Sequence, residues 1–298
     1  MKFFAITVEL VFCFLGMSAV PEVEAAEPVP VMVSIVPQKY FVEKIGGELV
    51  KVSVMAQPGA SPATYEPKPG QMVALSRAKI YFAIGVPFEK AWLKKIAAAN
   101  PKMLIVHTEK GIKKRRMRVH THEAGGKKGD EGRYDGIKDP HVWLSPPQVM
   151  THARNILEAL RGVDPVCASI YEANYKKFIT ELRELDAEIR GIFAQKGGDI
   201  EFMVFHPAWG YFADTYGLVQ IPIEIEGKDP KPAKVHQIIG QAKKRGVKVI
   251  FVQPQFSTKS AGIIAKAIGG KVVFANPLSL DWAKNIRHQA ANFKAALR

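Results

Sequence analysis

Two histidines, His141 and His206, carry the chemistry most open to this chain. His141 stands in Asp139-Pro140-His141-Val142-Trp143-Leu144-Ser145-Pro146, and His206 in Val204-Phe205-His206-Pro207-Ala208-Trp209-Gly210-Tyr211-Phe212. Each follows an apolar or turn-forming lead-in and has aromatic residues close by. A half-buried imidazole against apolar walls stays neutral, because low polarity disfavours the charged ring, and the neutral ring is the form that binds a transition metal. Taken singly, either histidine reads as well as a hydrogen-bonded structural residue beside a tryptophan. Their places along the chain favour the metal.

Those places follow from an alternation of short apolar runs with amphipathic stretches. Residues 31–36, 50–55, 80–84 and 103–106 read as strands, separated by helical patterns at 38–45, 71–78 and 88–98. The order predicts an α/β lobe with a mainly parallel sheet. A polar segment from His107 to Lys138 has no periodicity and reads as a mobile loop, in which His120 and His122 are weak metal candidates. From Asp164-Pro165, apolar residues recur every three or four positions (Tyr171, Tyr175, Phe178, Leu182, Leu185, Ile189, Ile192) as far as Gly197-Gly198. One helix of that length spans roughly 48 Å, longer than domain helices usually are, and reads as a rigid strut between two lobes. Alternation then resumes, with strands at 202–205, 219–225, 247–252 and 271–274. Three of these strands deliver His206, Gln253 and Asn276 at their carboxyl ends, where open α/β sheets bind ligands. Gln253 reads as a satisfied polar core residue.

The expected organisation is a signal peptide over 1–25, an N-terminal α/β lobe over 26–162 containing the loop 107–138, a linking helix over 163–197 and a C-terminal α/β lobe over 198–298. The leader has Lys2, an apolar stretch from Phe3 to Val20 and a small residue at Ala25 suited to cleavage. Glu9 near its middle argues against an uncleaved span. Cys13 lacks the small-residue lead that lipid attachment needs, so the expected location is the periplasm, without a lipid anchor. Cys167 alone remains after cleavage, which rules out an internal disulfide. The net charge is +14, and near +16 without the leader, whose three carboxylates outweigh Lys2 by two. Much of it lies in one run (Lys110, Lys113, Lys114, Arg115, Arg116, Arg118). Export argues against nucleic acid as partner; a solvated surface or attraction to anionic headgroups fits better.

These residues carry a resemblance. The chain resembles the metal-binding solute-binding proteins of zinc- and manganese-type ABC importers (cluster A-I, ZnuA/TroA-like). The motifs are the His141 and His206 segments, Pro58-Gly59-Ala60-Ser61-Pro62-Ala63-Thr64-Tyr65-Glu66-Pro67, Phe251-Val252-Gln253-Pro254-Gln255-Phe256-Ser257 and Asn276-Pro277-Leu278. The resemblance implies two α/β lobes joined by a long rigid backbone helix, one divalent cation in the cleft between them, delivery to a membrane permease, and no catalysis. It implies a monomer, and a family that includes adhesin-like members. His141 and His206 fall on two family ligand positions, and histidine at the second points to zinc, with Mn2+ or another divalent transition metal as the alternative. Two positions depart from the pattern. Ala63 replaces a ligating histidine, and Asn276 replaces an aspartate, leaving a neutral carbonyl oxygen. The expected ligands are therefore His141, His206 and Asn276, in a site weaker than the family norm; a member with weak or lost metal binding is the competing expectation. Tyr65, Trp143 and Trp209 are expected to shape the cleft. A two-histidine hydrolytic centre is disfavoured, since no general base or nucleophile motif accompanies the pair.

Overall fold

The computed structural model describes residues 27–117, 138–194, 200–224 and 229–296. The leader, most of the segment 107–138 with His120 and His122, and Gly197-Gly198 lie outside the described residues.

The first sheet is built from β1 (Val29–Ile35), β2 (Val50–Ala56), β3 (Ile80–Ala83) and β4 (Leu104–His107), connected through α1 (Val36–Gly46), α2 (Pro69–Arg77) and α3 (Pro87–Ala99). Its strand order is β2-β1-β3-β4, and every ladder is parallel. Val, Ile, Met and aromatic residues fill β1 and β3 because helices cover both faces of a parallel sheet. Prolines open α1, α2 and α3 within their first two positions, where the missing N–H costs no hydrogen bond.

The second half repeats the plan. It contains β5 (Ile200–Val204), β6 (Leu218–Pro222), β7 (Val249–Val252) and β8 (Lys271–Phe274) in the order β6-β5-β7-β8, again all parallel. The helices α6 (Gly210–Tyr216), α7 (Pro232–Lys244), α8 (Lys259–Ala267) and α9 (Trp282–Ala296) surround it. Strand order reverses between β1 and β3 in one lobe and between β5 and β7 in the other. Such switch points open a crevice at the carboxyl ends of the strands.

Two helices lie between the sheets in sequence. The alternating pattern leaves 146–163 unassigned; the structure makes it α4 (Pro146–Val163), opened by Pro146-Pro147 and burying Val149, Ala153, Ile156, Leu157 and Leu160. The strut is α5 (Ala168–Phe193), about 39 Å at 1.5 Å per residue. It begins four residues later than Asp164, the helix start read from the sequence. The Asp164 carboxylate accepts the Tyr171 hydroxyl at 2.7 Å and caps no backbone N–H, and Pro165–Cys167 forms a 3-10 turn. The buried stripe of α5 includes Tyr171, Phe178, Leu182, Leu185 and Ile189. It packs on α1 and α4 of the first lobe and on α6 and α9 of the second.

The lobes share one apolar core. At the start of α9, Trp282 inserts against α1, with its ring centroid 5.2 Å from that of Phe41, edge to face. Its Nε1–H donates to Trp143 O at 2.7 Å, and Trp143 Nε1–H donates to Pro277 O at 2.7 Å. A second, smaller cluster (Met203, Phe205, Ile238, Ile250, Val252, Ile264) fills the far face of the second sheet. Among the described residues no helix is long and apolar enough to cross a membrane.

Candidate metal centre

His141 and His206 meet. Their Nε2 atoms are 3.2 Å apart, and their ring planes are inclined at 72°. Each ring is fixed from behind by a carboxylate. His141 Nδ1 is 2.8 Å from Asp139 Oδ1, and His206 Nδ1 is 2.7 Å from Glu224 Oε1. A carboxylate is acceptor only, so each Nδ1 carries the proton and each Nε2 presents a lone pair. Two lone pairs facing one another at this distance require a proton or a cation between them. Two Zn–N bonds of 2.0–2.1 Å at the tetrahedral angle would separate the nitrogens by about 3.3 Å. The pair thus has the bite of one tetrahedral metal ion.

Local chain geometry explains each placement. Asp139 precedes His141 by two residues, is fully buried, and its Oδ1 also accepts the His141 backbone N–H at 3.0 Å. Arg115 Nη1 lies 3.4 Å from Asp139 Oδ2, and Arg115 Nε lies 2.8 Å from Asp214 Oδ2 on α6. Gly210 admits this guanidinium: a Cβ there would lie 1.5 Å from Arg115 Nη1. The Tyr211 hydroxyl closes the network, accepting Arg115 N–H at 3.0 Å and donating to Asp139 O at 3.1 Å. Burial pushes the His141 pKa below the usual histidine value, against the opposing pull of Asp139, which keeps the ring in its metal-binding form.

His206 is placed by sheet register. Val204 pairs with Pro222 across β5 and β6, so the residues two further on, His206 and Glu224, come side by side. From β7, Gln253 clamps the His206 backbone: its Oε1 accepts His206 N–H at 3.1 Å, and its Nε2–H donates to His206 O at 2.6 Å. It is therefore the satisfied core residue expected from the sequence. The Phe256 ring stacks on His206 at 5.0 Å between centroids.

His141 and His206 both line a cavity of about 730 Å3 between the lobes. Trp143 lines it, as do Ala63, Pro277 and Leu278. Asn276, the third ligand expected from the sequence, is not among the residues of the wall, and its Oδ1 accepts the Leu278 N–H at 3.0 Å. Tyr65 is buried against Phe88, and Trp209 is fully buried on Phe293, so both shape the cleft only through the core behind it. Glu66 is exposed and is not part of the wall. Glu224 is missed by motif reading; the β5–β6 register is the signal that finds it.

The model of the family described as zinc-uptake complex component A, periplasmic, matches residues 31–296. The high-affinity zinc uptake system protein ZnuA of Bacillus subtilis is 29 % identical over 83 % of this chain and 78 % of its own length. The zinc-binding protein AdcA of Streptococcus pyogenes is 28 % identical over 90 % of this chain, which spans only 54 % of AdcA. Among solved structures, a crystal structure of ZnuA is 41 % identical with a TM-score of 0.83, covering 91 % of this chain and all of that one. A zinc-bound deletion mutant of ZnuA is likewise 41 % identical, with a TM-score of 0.81 over 91 % of this chain and 98 % of its own.

Proposed function

Because this chain belongs to the family of periplasmic zinc-uptake complex component A proteins, we propose that it captures Zn2+ between its lobes in the periplasm and hands the ion to the membrane permease of an ABC importer. The observation that carries this reading is the 3.2 Å separation of the two Nε2 atoms, each ring held from behind by a carboxylate. Carboxylate–histidine pairing of this kind orients a ring and raises its basicity toward a metal. His141 and His206 are the ligands, Asn276 Oδ1 is a third donor, and water completes the shell. Imidazole donors favour zinc over manganese, which prefers oxygen-rich sites. The protein acts as a monomer and without catalysis. Its lobes take residues 26–162 and 198–298, with 163–197 between them, after removal of a signal peptide at 1–25.

A weaker site than the family norm is the second reading, favoured by one observation: Ala63, a cavity residue, has no donor atom to offer. Calorimetric titration of the purified protein with zinc, beside a His141→Ala/His206→Ala double variant, tests both readings. One ion per chain, lost in the double variant, is expected. Equal heats from the two proteins would remove the zinc reading, and saturation only near millimolar zinc would leave the weak-site reading standing.

A further inference from the structure

Two imidazoles and the neutral Asn276 carbonyl leave an ion with an incomplete shell and no anionic ligand, and the walls around it are poorly suited to a bare cation. Among the described residues, no group of three His, Cys, Asp or Glu side chains comes together that could hold a metal. The cavity of about 730 Å3 far exceeds the ~60 Å3 that two water molecules occupy in the liquid. Lys90, Lys114 and Lys138 all line it, whereas the only carboxylate in its wall among the described residues is Glu224, already engaged with His206 Nδ1. Lys114 is seated by Glu109, whose Oε1 lies 3.7 Å from its Nζ, and by a specific backbone feature. Gly85, in the left-handed region at φ 82°, leaves the space in which a Cβ would lie 2.3 Å from Lys114 Nζ. The remaining wall is largely apolar, with Pro62, Val86, Pro87, Phe256 and Leu278.

We propose that the cleft takes its metal together with a small polycarboxylate anion. The anion's oxygens fill the open coordination positions, and its remaining charge meets Lys90, Lys114 and Lys138. This rests on the metal-binding reading above and adds the second component of the cargo. The charge balance supports it: with Lys114 offset by Glu109 at 3.7 Å, a dication between two neutral rings is still repelled by Lys90 and Lys138, whereas a metal chelate of zero or negative charge is attracted. Volume and apolar walls select an organic anion over an inorganic one, since a pocket of this size and lining matches a small molecule.

Citrate is the probe. Zinc is titrated into the purified metal-free protein in a non-coordinating buffer, alone and with equimolar citrate, and the zinc–citrate association measured in free solution is subtracted. A 1:1:1 complex is expected, at least tenfold tighter than zinc alone, with two nitrogen neighbours and otherwise oxygen in its zinc K-edge spectrum. A triple Lys90→Gln/Lys114→Gln/Lys138→Gln variant should lose that gain, and the corresponding triple Arg variant should keep it, which separates charge from misfolding. Citrate that only competes for zinc as it does in free solution, or three or more imidazole nitrogens at the metal, overturns the ternary complex and leaves zinc carriage intact. An equal gain from inorganic phosphate overturns the organic anion. Absence of zinc binding in every arm overturns both readings.

Discussion

His141 Nε2 and His206 Nε2 lie 3.2 Å apart although one follows a buried turn of the first lobe and the other the end of β5 in the second. An ion seated there is held equally by both lobes, so neither ring alone makes a site. Each single variant, His141→Ala or His206→Ala, should weaken zinc binding at least a hundredfold, about 2.7 kcal/mol. The double variant should cost little more than either single one, because the first truncation already destroys the bite. Competition against a chromophoric chelator measures all three. Additive losses would mean that the two rings serve separate ions.

The carboxylates behind the rings differ in their other duties, which makes their variants distinguishable. Glu224→Gln should reduce zinc affinity ten- to hundredfold, the usual effect of removing a ligand's orienting partner, with little change in thermal midpoint. Asp139→Asn should do the same and also lower the midpoint. Asp139 is fully buried and accepts from the His141 backbone and lies beside the Arg115 guanidinium as well. Affinity and melting measured on both variants test the contrast.

Strands and helices were legible in the sequence wherever one residue pattern dominates. Parallel strands such as β1 and β7 are continuous apolar runs, and the α5 stripe repeats every three to four residues. His206 was legible because strand ends are where α/β lobes bind, and His141, which lies in a turn, through its motif and the family resemblance. What needed coordinates was relation between segments. Glu224 enters the site through strand register, and Arg115 through the space left by Gly210. The start of α5 shifted because Tyr171, one turn into the helix, takes the Asp164 carboxylate that a cap requires. Trp209 and Trp143 look alike as motif aromatics, yet only Trp143 reaches the cavity, since Trp209 lies at the start of α6 and turns inward onto Phe293.

Ala63 offers a gain-of-function test. It is exposed in the wall of the cavity that both histidines line, so a longer side chain there meets open space. Ala63→His should add a third imidazole and raise zinc affinity at least tenfold, with the nitrogen count in the zinc K-edge spectrum rising from two to three. An unchanged count would place residue 63 out of reach of the ion.

Trp282 ties the last helix to the first lobe, with its ring against Phe41 and its Nε1–H on Trp143 O. Trp282→Ala removes a fully buried ring and should cost about 3–5 kcal/mol in urea unfolding. Trp282→Phe keeps most of the packing but leaves the Trp143 carbonyl without its donor, a loss of about 1–3 kcal/mol. Because Trp143 also lines the cavity, the Phe variant should alter zinc release more than a core substitution remote from the cleft. Stopped-flow release rates for Trp282→Phe, set beside those for Ile264→Val in the separate C-terminal cluster, check this.

His152 on α4 gives the chain a built-in sensitivity to acid. It is fully buried, stacks on Phe41 at 6.2 Å, and neither ring nitrogen has a hydrogen-bond partner among the described residues. Burial, and to a lesser extent the charge of Lys114, push its pKa down to about 3. The unfolded chain binds this proton near the ordinary value of 6.5 and the folded chain only near 3, so between these values the unfolded state holds more protons. Stability should therefore be full above about pH 6.5 and fall as pH drops toward 3, with a slope from this residue approaching about 1.4 kcal/mol per pH unit. His152→Leu removes both the titration and the unpaired ring nitrogens. It should raise stability at pH 7 by about 1–2 kcal/mol and flatten the acid limb between pH 6.5 and 4. Urea unfolding of both proteins at pH 7, 6, 5 and 4 measures the effect. A variant whose stability declines as steeply as the parent's would show that the acid sensitivity resides in other groups.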